Sequence, residues 1–259
     1  MLLDVVNVSK RFGGFRVIDD LSFQLAEGEA LGIVGPNGAG KTTLLSLIAG
    51  DLRADGGQVL LNGVDIVRQP AHRRCRLGIG RTAQIPRPFG GLTVFENVLV
   101  GSTFGAGDRL SSGGSTEAAA VAALETASML DKANVPAGAL TLLDRKRLEL
   151  ARALAVQPTV LLLDEIAGGL TEAEAQALVD TISDIRATGV AIVWIEHIMH
   201  ALLRVVDRMM AVDAGRKLIE GDPTEVMASS EVRSVYLGDD LEVGGGTEAG
   251  EGTEAGGSD

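Results

Sequence analysis

Cysteine and long apolar stretches are what this sequence has least of. Cys75 is the one cysteine among 259 residues, which excludes an internal disulfide and a cysteine-rich metal site and is typical of a reducing compartment. No stretch reaches the roughly 18 uninterrupted apolar residues of a membrane-spanning helix, and no basic and then apolar segment opens the chain. We therefore expect a chain that neither spans nor crosses a membrane, with enough apolar residues (46%) for one sizeable α/β core.

An excess of basic residues is also missing. The chain has 23 Lys and Arg against 35 Asp and Glu, a formal charge of −12. Residues 239–259 carry seven of the acidic residues and no basic one, so the remainder, with 28 acidic residues, stands at −5. The same segment is rich in glycine, repeats Gly-Thr-Glu-Ala-Gly and has few apolar residues, which predicts a disordered tail. The charge balance argues against nucleic acid as a partner.

The most informative segment is a glycine-rich loop. Its residues match the phosphate-binding pattern G-x-x-x-x-G-K-[ST] at every position: Gly35, Pro36, Asn37, Gly38, Ala39, Gly40, Lys41 and Thr42, with Thr43 following. An apolar run at 30–34 predicts a buried strand before the loop, and residues 44–49 predict a helix after it. The glycines let backbone N–H groups turn towards a β-phosphate, Lys41 neutralises β and γ oxygens, and the Thr42 hydroxyl is placed to bind Mg²⁺. A plain strand-to-helix turn is the alternative, but the full pattern favours a nucleoside triphosphate site.

Two further apolar runs end in polar side chains. Residues 160–163 read as a buried strand that ends in Asp164 and Glu165. This is the form of a Walker B strand, in which the aspartate holds the Mg²⁺ water shell beside Thr42 and the glutamate polarises the attacking water. An apolar strand ending in Asp-Glu is common by itself, and the phosphate-binding loop is what favours the catalytic interpretation.

The second of these runs, at 190–195, ends in Glu196 and His197. Ligands collect at the carboxyl edge of open α/β sheets, so His197 is predicted to contact the γ-phosphate. A lone histidine is more often structural, and this is our interpretation of His72 and His200.

The motifs together resemble ATP-binding cassette (ABC) ATPases, the nucleotide-binding subunits of ABC transporters, over residues 3–238. The resemblance implies a P-loop NTPase α/β core with a mainly parallel sheet, an antiparallel β-subdomain and an inserted helical subdomain at about 85–156, in a single domain over 1–238. It implies ATP hydrolysis with ATP and Mg²⁺ as cofactors. It also implies that Phe12 stacks on adenine, although a lone Phe is equally a core residue, and that Gln84 is a Mg²⁺ ligand and a relay to a membrane partner.

A finer resemblance is to the ATPases of branched-chain amino-acid importers. Three segments carry it: Phe-Gly-Gly at 12–14, Gly-Ile-Gly-Arg-Thr at 78–82 and Leu-Thr-Val-Phe-Glu-Asn at 92–97. It implies a peripheral position on the cytoplasmic face of the cell membrane. The implied partners are transmembrane permease subunits, a solute-binding protein and a second ABC ATPase subunit, with a heterodimer favoured over self-association. Residues 87–89 (Arg-Pro-Phe) are candidate permease contacts, with an unpartnered surface loop as the alternative.

The main departure from the family pattern is at the ABC signature. This signature is normally Leu-Ser-Gly-Gly-Gln, whereas residues 140–144 of this chain are Leu-Thr-Leu-Leu-Asp. In the family, each signature contacts the γ-phosphate bound by the other subunit of a dimer. Thr141 retains a hydroxyl for this contact. Leu142 and Leu143 adopt φ > 0 less easily than glycine. Asp144 adds a negative charge near the helix amino terminus, which is favourable for the helix dipole but unfavourable towards an incoming γ-phosphate. The basic run at 145–147 either offsets that charge or forms an exposed basic helix face.

Several outcomes of this departure are open. A heterodimer with a standard partner would have at least one competent site, or the helix amino terminus and Thr141 would bind the phosphate regardless. A catalytically weak regulatory subunit is a further alternative. An ABC ATPase that works on DNA or ribosomes is less favoured, because those generally carry two cassettes or long coiled-coil insertions. Thr171 also stands where the family usually has aspartate in the D-loop, which follows the Walker B glutamate.

Overall fold

The computed structural model describes residues 1–105 and 115–234, and the predicted tail at 239–259 lies outside them. The strands are β1 (Leu3–Phe12), β2 (Phe15–Leu25), β3 (Ala30–Val34), β4 (Gly56–Leu61), β5 (Val64–Asp65), β6 (Ile79–Arg81), β7 (Val160–Asp164), β8 (Ala191–Ile195), β9 (Arg208–Asp213) and β10 (Arg216–Gly221). The helices are α1 (Lys41–Ala49), α2 (Ala71–Leu77), α3 (Val94–Gly105), α4 (Thr116–Thr126), α5 (Leu142–Leu154), α6 (Glu172–Ala187), α7 (Met199–Leu203) and α8 (Pro223–Ala228), with 3₁₀ turns at Leu130–Lys132 and Ala137–Ala139.

The larger sheet has the strand order β10-β9-β3-β8-β7-β6. Its strands from β9 to β6 run parallel, and β10 pairs with β9 in the antiparallel sense. Every residue of β3, β7 and β8 is buried, as expected for parallel strands covered on both faces. Because β3, β8 and β7 run parallel, their carboxyl ends meet at one edge of the sheet, where the three predicted motifs lie.

The smaller sheet, β2-β1-β4-β5, is antiparallel and forms the β-subdomain that the family resemblance implies. Apolar residues of β1 and β2 share one core with the buried face of α1 and with alternate residues of the parallel strands. Helix α1 is therefore held between the two sheets, which fixes the direction in which the glycine-rich loop points.

Helices α3, α4 and α5 enclose a separate apolar cluster that includes Val94, Val98, Leu124 and Leu148. Ser115 caps the alanine-rich α4, with its hydroxyl accepting a hydrogen bond from the Ala118 N–H. The fold class is confirmed: a mainly parallel sheet, an antiparallel β-subdomain and an inserted group of helices. The exact limits proposed for the helical subdomain stay a prediction. Within the described ranges, we find no helix that is both long and apolar enough to traverse a bilayer.

Candidate functional site

The glycine-rich loop joins β3 to α1 and depends on glycine at its closest approaches. Gly40 caps α1 with φ of 97°, and a Cβ there would lie 2.7 Å from the carbonyl oxygen of Val17. A Cβ on Gly35 would lie 2.0 Å from the carbonyl oxygen of Val212. The first is left-handed backbone that side chains disfavour, and both leave no room for one. Residues 35 and 40 of the loop therefore have to be glycine.

A cavity of about 450 Å³ opens against this loop. Its lining brings most of the predicted nucleotide ligands together, namely Asn37, Gly38, Ala39, Gly40, Lys41, Thr42, Thr43, Gln84 and Glu165, and adds Val17. Val17 was missed at the sequence level because an apolar residue inside a strand gives no sign of a ligand contact. Its position follows from β2 crossing the start of α1.

Lys41 is 5% exposed and its ammonium group is turned into the loop. It donates to the carbonyl oxygens of Gly35 at 2.7 Å and Pro36 at 2.8 Å. Burial lowers the pKa of Lys41 below its usual value, while the negative charges of Glu165 and Asp164 act in the opposite direction. The two carbonyl oxygens accept hydrogen bonds from the Lys41 ammonium group, which phosphate oxygens would bind when ATP is present.

Thr42 and Asp164 meet across the sheet edge. The Thr42 hydroxyl donates to Oδ1 of Asp164 at 3.1 Å, although the two residues are 122 positions apart. Both groups are hard oxygen donors, which is the chemistry Mg²⁺ requires. No cluster of three or more His, Cys, Asp or Glu capable of holding a metal forms among residues 1–105 and 115–234. The donor set fits an ion that takes one carboxylate from the protein and completes its shell with phosphate oxygens and water.

Glu165 follows Asp164 in left-handed backbone, with φ of 47°. Its carboxylate receives a hydrogen bond from Gln84 Nε2 at 2.6 Å, and its other oxygen lies 2.7 Å from His197 Nε2. Its N–H donates to the carbonyl of Ile195 at the end of β8. Non-glycine residues seldom adopt this backbone, and strain of this kind clusters at functional sites. Two separately predicted side chains, Gln84 and His197, therefore converge on the carboxylate of a third, Glu165.

Two residues shortly before Gln84 were missed as site residues. Arg81 donates to Oδ2 of Asp164 at 3.0 Å, and the Asp164 N–H donates to the Thr82 hydroxyl at 3.4 Å. The parallel pairing of β6 with β7 places them there, with Arg81 opposite Leu162. Their sequence signal was present in the Gly-Ile-Gly-Arg-Thr segment, but it had been used only to assign the subfamily.

This geometry agrees with the comparison against known protein families. Residues 18–168 match the model of the ABC transporter family. The chain belongs to that family. The match spans the glycine-rich loop, the Walker B strand and the helices between them, so the chain is an ABC ATPase and the ATP-binding subunit of an ABC transporter.

The alignments with individual relatives cover nearly the whole of this ABC ATPase. It is 35% identical to the high-affinity branched-chain amino acid transport ATP-binding protein LivG of Salmonella typhimurium, over 92% of this chain and 98% of the relative. It is 32% identical to the corresponding protein BraF of Pseudomonas aeruginosa, with the same coverage. Among solved structures, the ADP conformation of an ABC transporter cassette superposes with a TM-score of 0.82 at 29% identity, over 92% of this chain and 98% of that one.

Phe12, predicted to stack on adenine, lies at the turn between β1 and β2 of the ABC fold. It is 49% exposed, pairs with Phe15 across the hairpin, and has the Lys10 ammonium 5.4 Å from its ring centre. An aromatic face left open in this way is available for stacking. Phe12 stands outside the lining of the loop cavity, and its adenine contact stays a prediction.

The signature segment of the ABC fold corrects one expectation. The negative charge of Asp144 is compensated within the chain: Asp144 is buried, and its carboxylate pairs with Lys132 at 2.6 Å and accepts from the Thr141 hydroxyl at 2.9 Å. These bonds to Lys132 and Thr141 hold the pKa of Asp144 below its usual value against the effect of burial. The Thr141 hydroxyl also accepts from the Asp144 N–H as the cap of α5. Leu142 and Leu143 are the first residues of α5 and need no positive φ.

The residues after the signature do not form an exposed basic face. Lys146 is 4% exposed, and its burial lowers its pKa while the charges of Glu196 and Glu165 act in the opposite direction. Helix α5 therefore turns Lys146 towards the edge of the sheet where Glu165 and Glu196 lie. The basic run at 145–147 alone could not indicate this orientation. At the D-loop, Thr171 caps α6 in a capping box with Glu174, which explains a hydroxyl residue at that position.

Proposed function

We propose that this chain is the ATP-hydrolysing subunit of an importer for branched-chain amino acids or a closely related small solute, bound at the cytoplasmic face of the membrane. The observation that carries the proposal is the near-complete coverage of LivG and BraF, whose names specify branched-chain amino acid transport. The convergence of Gln84 and His197 on Glu165 supports hydrolysis at this site.

Each residue of the site has a chemical role in this proposal. Glu165 accepts the proton of the attacking water, and Gln84 and His197 hold its carboxylate in place. His197 additionally contacts the γ-phosphate as the site closes. When bound, Mg²⁺ neutralises charge that develops on the phosphate oxygens, and Thr42, Asp164 and Gln84 are the residues that would hold it. The loop N–H groups and Lys41 bind the phosphates, and Phe12 stacks on adenine.

The proposed permease contact lies just beyond Gln84, at residues 85–89. Ile85 and Phe89 expose large apolar side chains, and the backbone is held at Arg87 and Phe89. The Arg87 N–H donates to the buried Glu149 carboxylate at 3.1 Å, and the Asn97 side chain bonds both the N–H and the carbonyl of Phe89. A fixed backbone that presents apolar side chains suits the docking of a partner helix. ATP-driven closure of two ATPase subunits would reach the permease through this segment.

The altered signature favours a heterodimer with a second ABC ATPase subunit. Leu142 is 44% exposed at the start of α5, where the partner's γ-phosphate would approach, and the Thr141 hydroxyl is already used within the cap. The site completed by this signature would then turn over slowly, and the site built on Glu165 would carry most of the hydrolysis.

Shortening Leu142 tests this asymmetry. Leu142→Ala is expected to raise the ATP turnover of the assembled complex up to about twofold, because α5 already has the required backbone and the exposed side chain obstructs the approach of the phosphate. Leu142→Gly is the matched comparison and should give no larger gain. An unchanged turnover in both variants would show that Leu142 does not limit the second site.

The transport proposal is tested with the purified complex. The tagged chain is isolated from its native membrane with its partners and reconstituted in liposomes with the copurified solute-binding protein. When the solute-binding protein carries leucine, isoleucine or valine, we expect both the ATP hydrolysis rate and the uptake of the radiolabelled amino acid to rise. In the control, glutamate replaces the branched-chain amino acid, and neither rate should rise. Hydrolysis without uptake of any branched-chain amino acid would contradict the proposed solute.

A further inference from the structure

Arg81 ties three parts of the nucleotide site together. It ends β6, and its side chain is only 19% exposed. One guanidinium nitrogen donates to Oδ2 of Asp164 at 3.0 Å, and another donates to Asp51 at 2.7 Å and to the Ser46 hydroxyl at 3.0 Å. Ser46 is on α1 and Asp51 lies just beyond it. The contacts therefore join the Walker B strand to the helix that begins at the phosphate-binding loop.

The two oxygens of the Asp164 carboxylate have different partners. Oδ1 accepts from Thr42, and Oδ2 accepts from Arg81. The side chain is 1% exposed, so water does not compensate its charge. A buried carboxylate needs a paired cation or several hydrogen bonds, and the planar guanidinium group can serve two acceptors at once in a fixed geometry. With Oδ2 held, only Oδ1 faces the space beside the Thr42 hydroxyl.

We propose that Arg81 is a positioning residue that holds the Walker B carboxylate through Oδ2 and so presents Oδ1, together with Thr42, to the Mg²⁺ that accompanies ATP. The inference rests on the proposed function, because it concerns the same ATP site. It predicts that Arg81 acts on Mg²⁺-dependent binding of the nucleotide and leaves the phosphate-loop contacts intact.

The test separates Mg²⁺-dependent from Mg²⁺-independent binding of a fluorescent ATP analogue. The full chain carries Glu165→Gln so that hydrolysis does not interfere, and the Mg²⁺ concentration for half-maximal binding is measured at fixed nucleotide. Arg81→Met is expected to raise it at least about tenfold, since a charge-assisted bond to a buried carboxylate is lost. The affinity of Arg81→Met for the ATP analogue in EDTA should stay within about twofold of that of the parent. A general structural defect would instead lower the affinity with and without Mg²⁺.

A charge-preserving variant and a surface control complete the design. Arg81→Lys leaves a cation beside Asp164 and is expected to fold, but one ammonium group cannot bridge Asp164 and Asp51, so the half-saturating Mg²⁺ should rise at least about threefold. Arg53→Met removes an exposed arginine close to Asp51 and should change nothing. Parent-like Mg²⁺ dependence in both Arg81 variants, or equal losses with Mg²⁺ and with EDTA, would overturn the inference. A parent chain that binds no ATP would instead overturn the proposed function.

Discussion

Glu165→Gln is expected to lower the ATP hydrolysis rate of the assembled complex by at least ~100-fold, because positioned proton transfer contributes about that much or more. Glutamine has nearly the same shape. Its carbonyl oxygen can accept from Gln84, and its amide can donate to His197, so both observed contacts have replacements. The affinity for Mg·ATP should therefore change little, and the effect should fall on turnover alone.

The measurement compares turnover at saturating Mg·ATP with the dissociation constant of a fluorescent ATP analogue. Glu172→Gln is the matched control, since it removes an exposed carboxylate at the start of α6 and should leave both quantities unchanged. A Glu165→Gln complex that hydrolyses ATP at the wild-type rate would locate hydrolysis on the other subunit. The chain would then be the regulatory nucleotide-binding subunit considered as the alternative.

Much of the central site could be predicted because its signals are local. An uninterrupted apolar run indicates a buried parallel strand, and the polar residue that ends it must lie at the edge of the sheet. This reasoning located β3, β7 and β8 and placed Asp164, Glu165 and His197 at one edge. The strand order, which sequence reasoning did not supply, decided that β8 lies between the other two and allows His197 to reach Glu165.

The features that were missed depend on contacts between distant segments. Arg81 ends a strand of three residues and meets Ser46, Asp51 and Asp164, none of which is near it in sequence. Asp144 was misjudged because its charge was considered alone, whereas Lys132 approaches from a 3₁₀ turn and pairs with it. A charged residue next to a helix amino terminus has a local meaning only when no tertiary partner reaches it.

Arg74→Met is expected to destabilise the fold by about 3 kcal/mol or more. Arg74 is 1% exposed on α2, and its guanidinium group donates to the carbonyls of Leu47 and Ile48 at the end of α1 and to those of Val67 and Gln69. Terminal helix carbonyls need such partners, and a cation there also interacts favourably with the helix dipole. Burial lowers the pKa of Arg74, but an arginine remains protonated at any working pH.

The size of the effect follows from what methionine leaves behind. It fills similar volume, so packing around α1 changes little, but four carbonyl oxygens lose a charged donor in a place that water hardly reaches. Each such bond contributes about 1.5 to 3 kcal/mol, and partial relaxation of the Val67–Gln69 segment recovers some of the total. Because α1 begins at Lys41, a weakened carboxyl end of this helix should also weaken ATP binding.

Urea unfolding of the full chain measures the free energy directly, with Arg73→Met as the control. Arg73 is the preceding residue on α2 and is exposed, so its replacement removes the same charge without removing a buried donor. A difference below about 0.5 kcal/mol between the two variants would contradict the assigned role. Saturating Mg·ATP should recover part of the stability lost in Arg74→Met, because ligand that binds only the folded state shifts the equilibrium towards it.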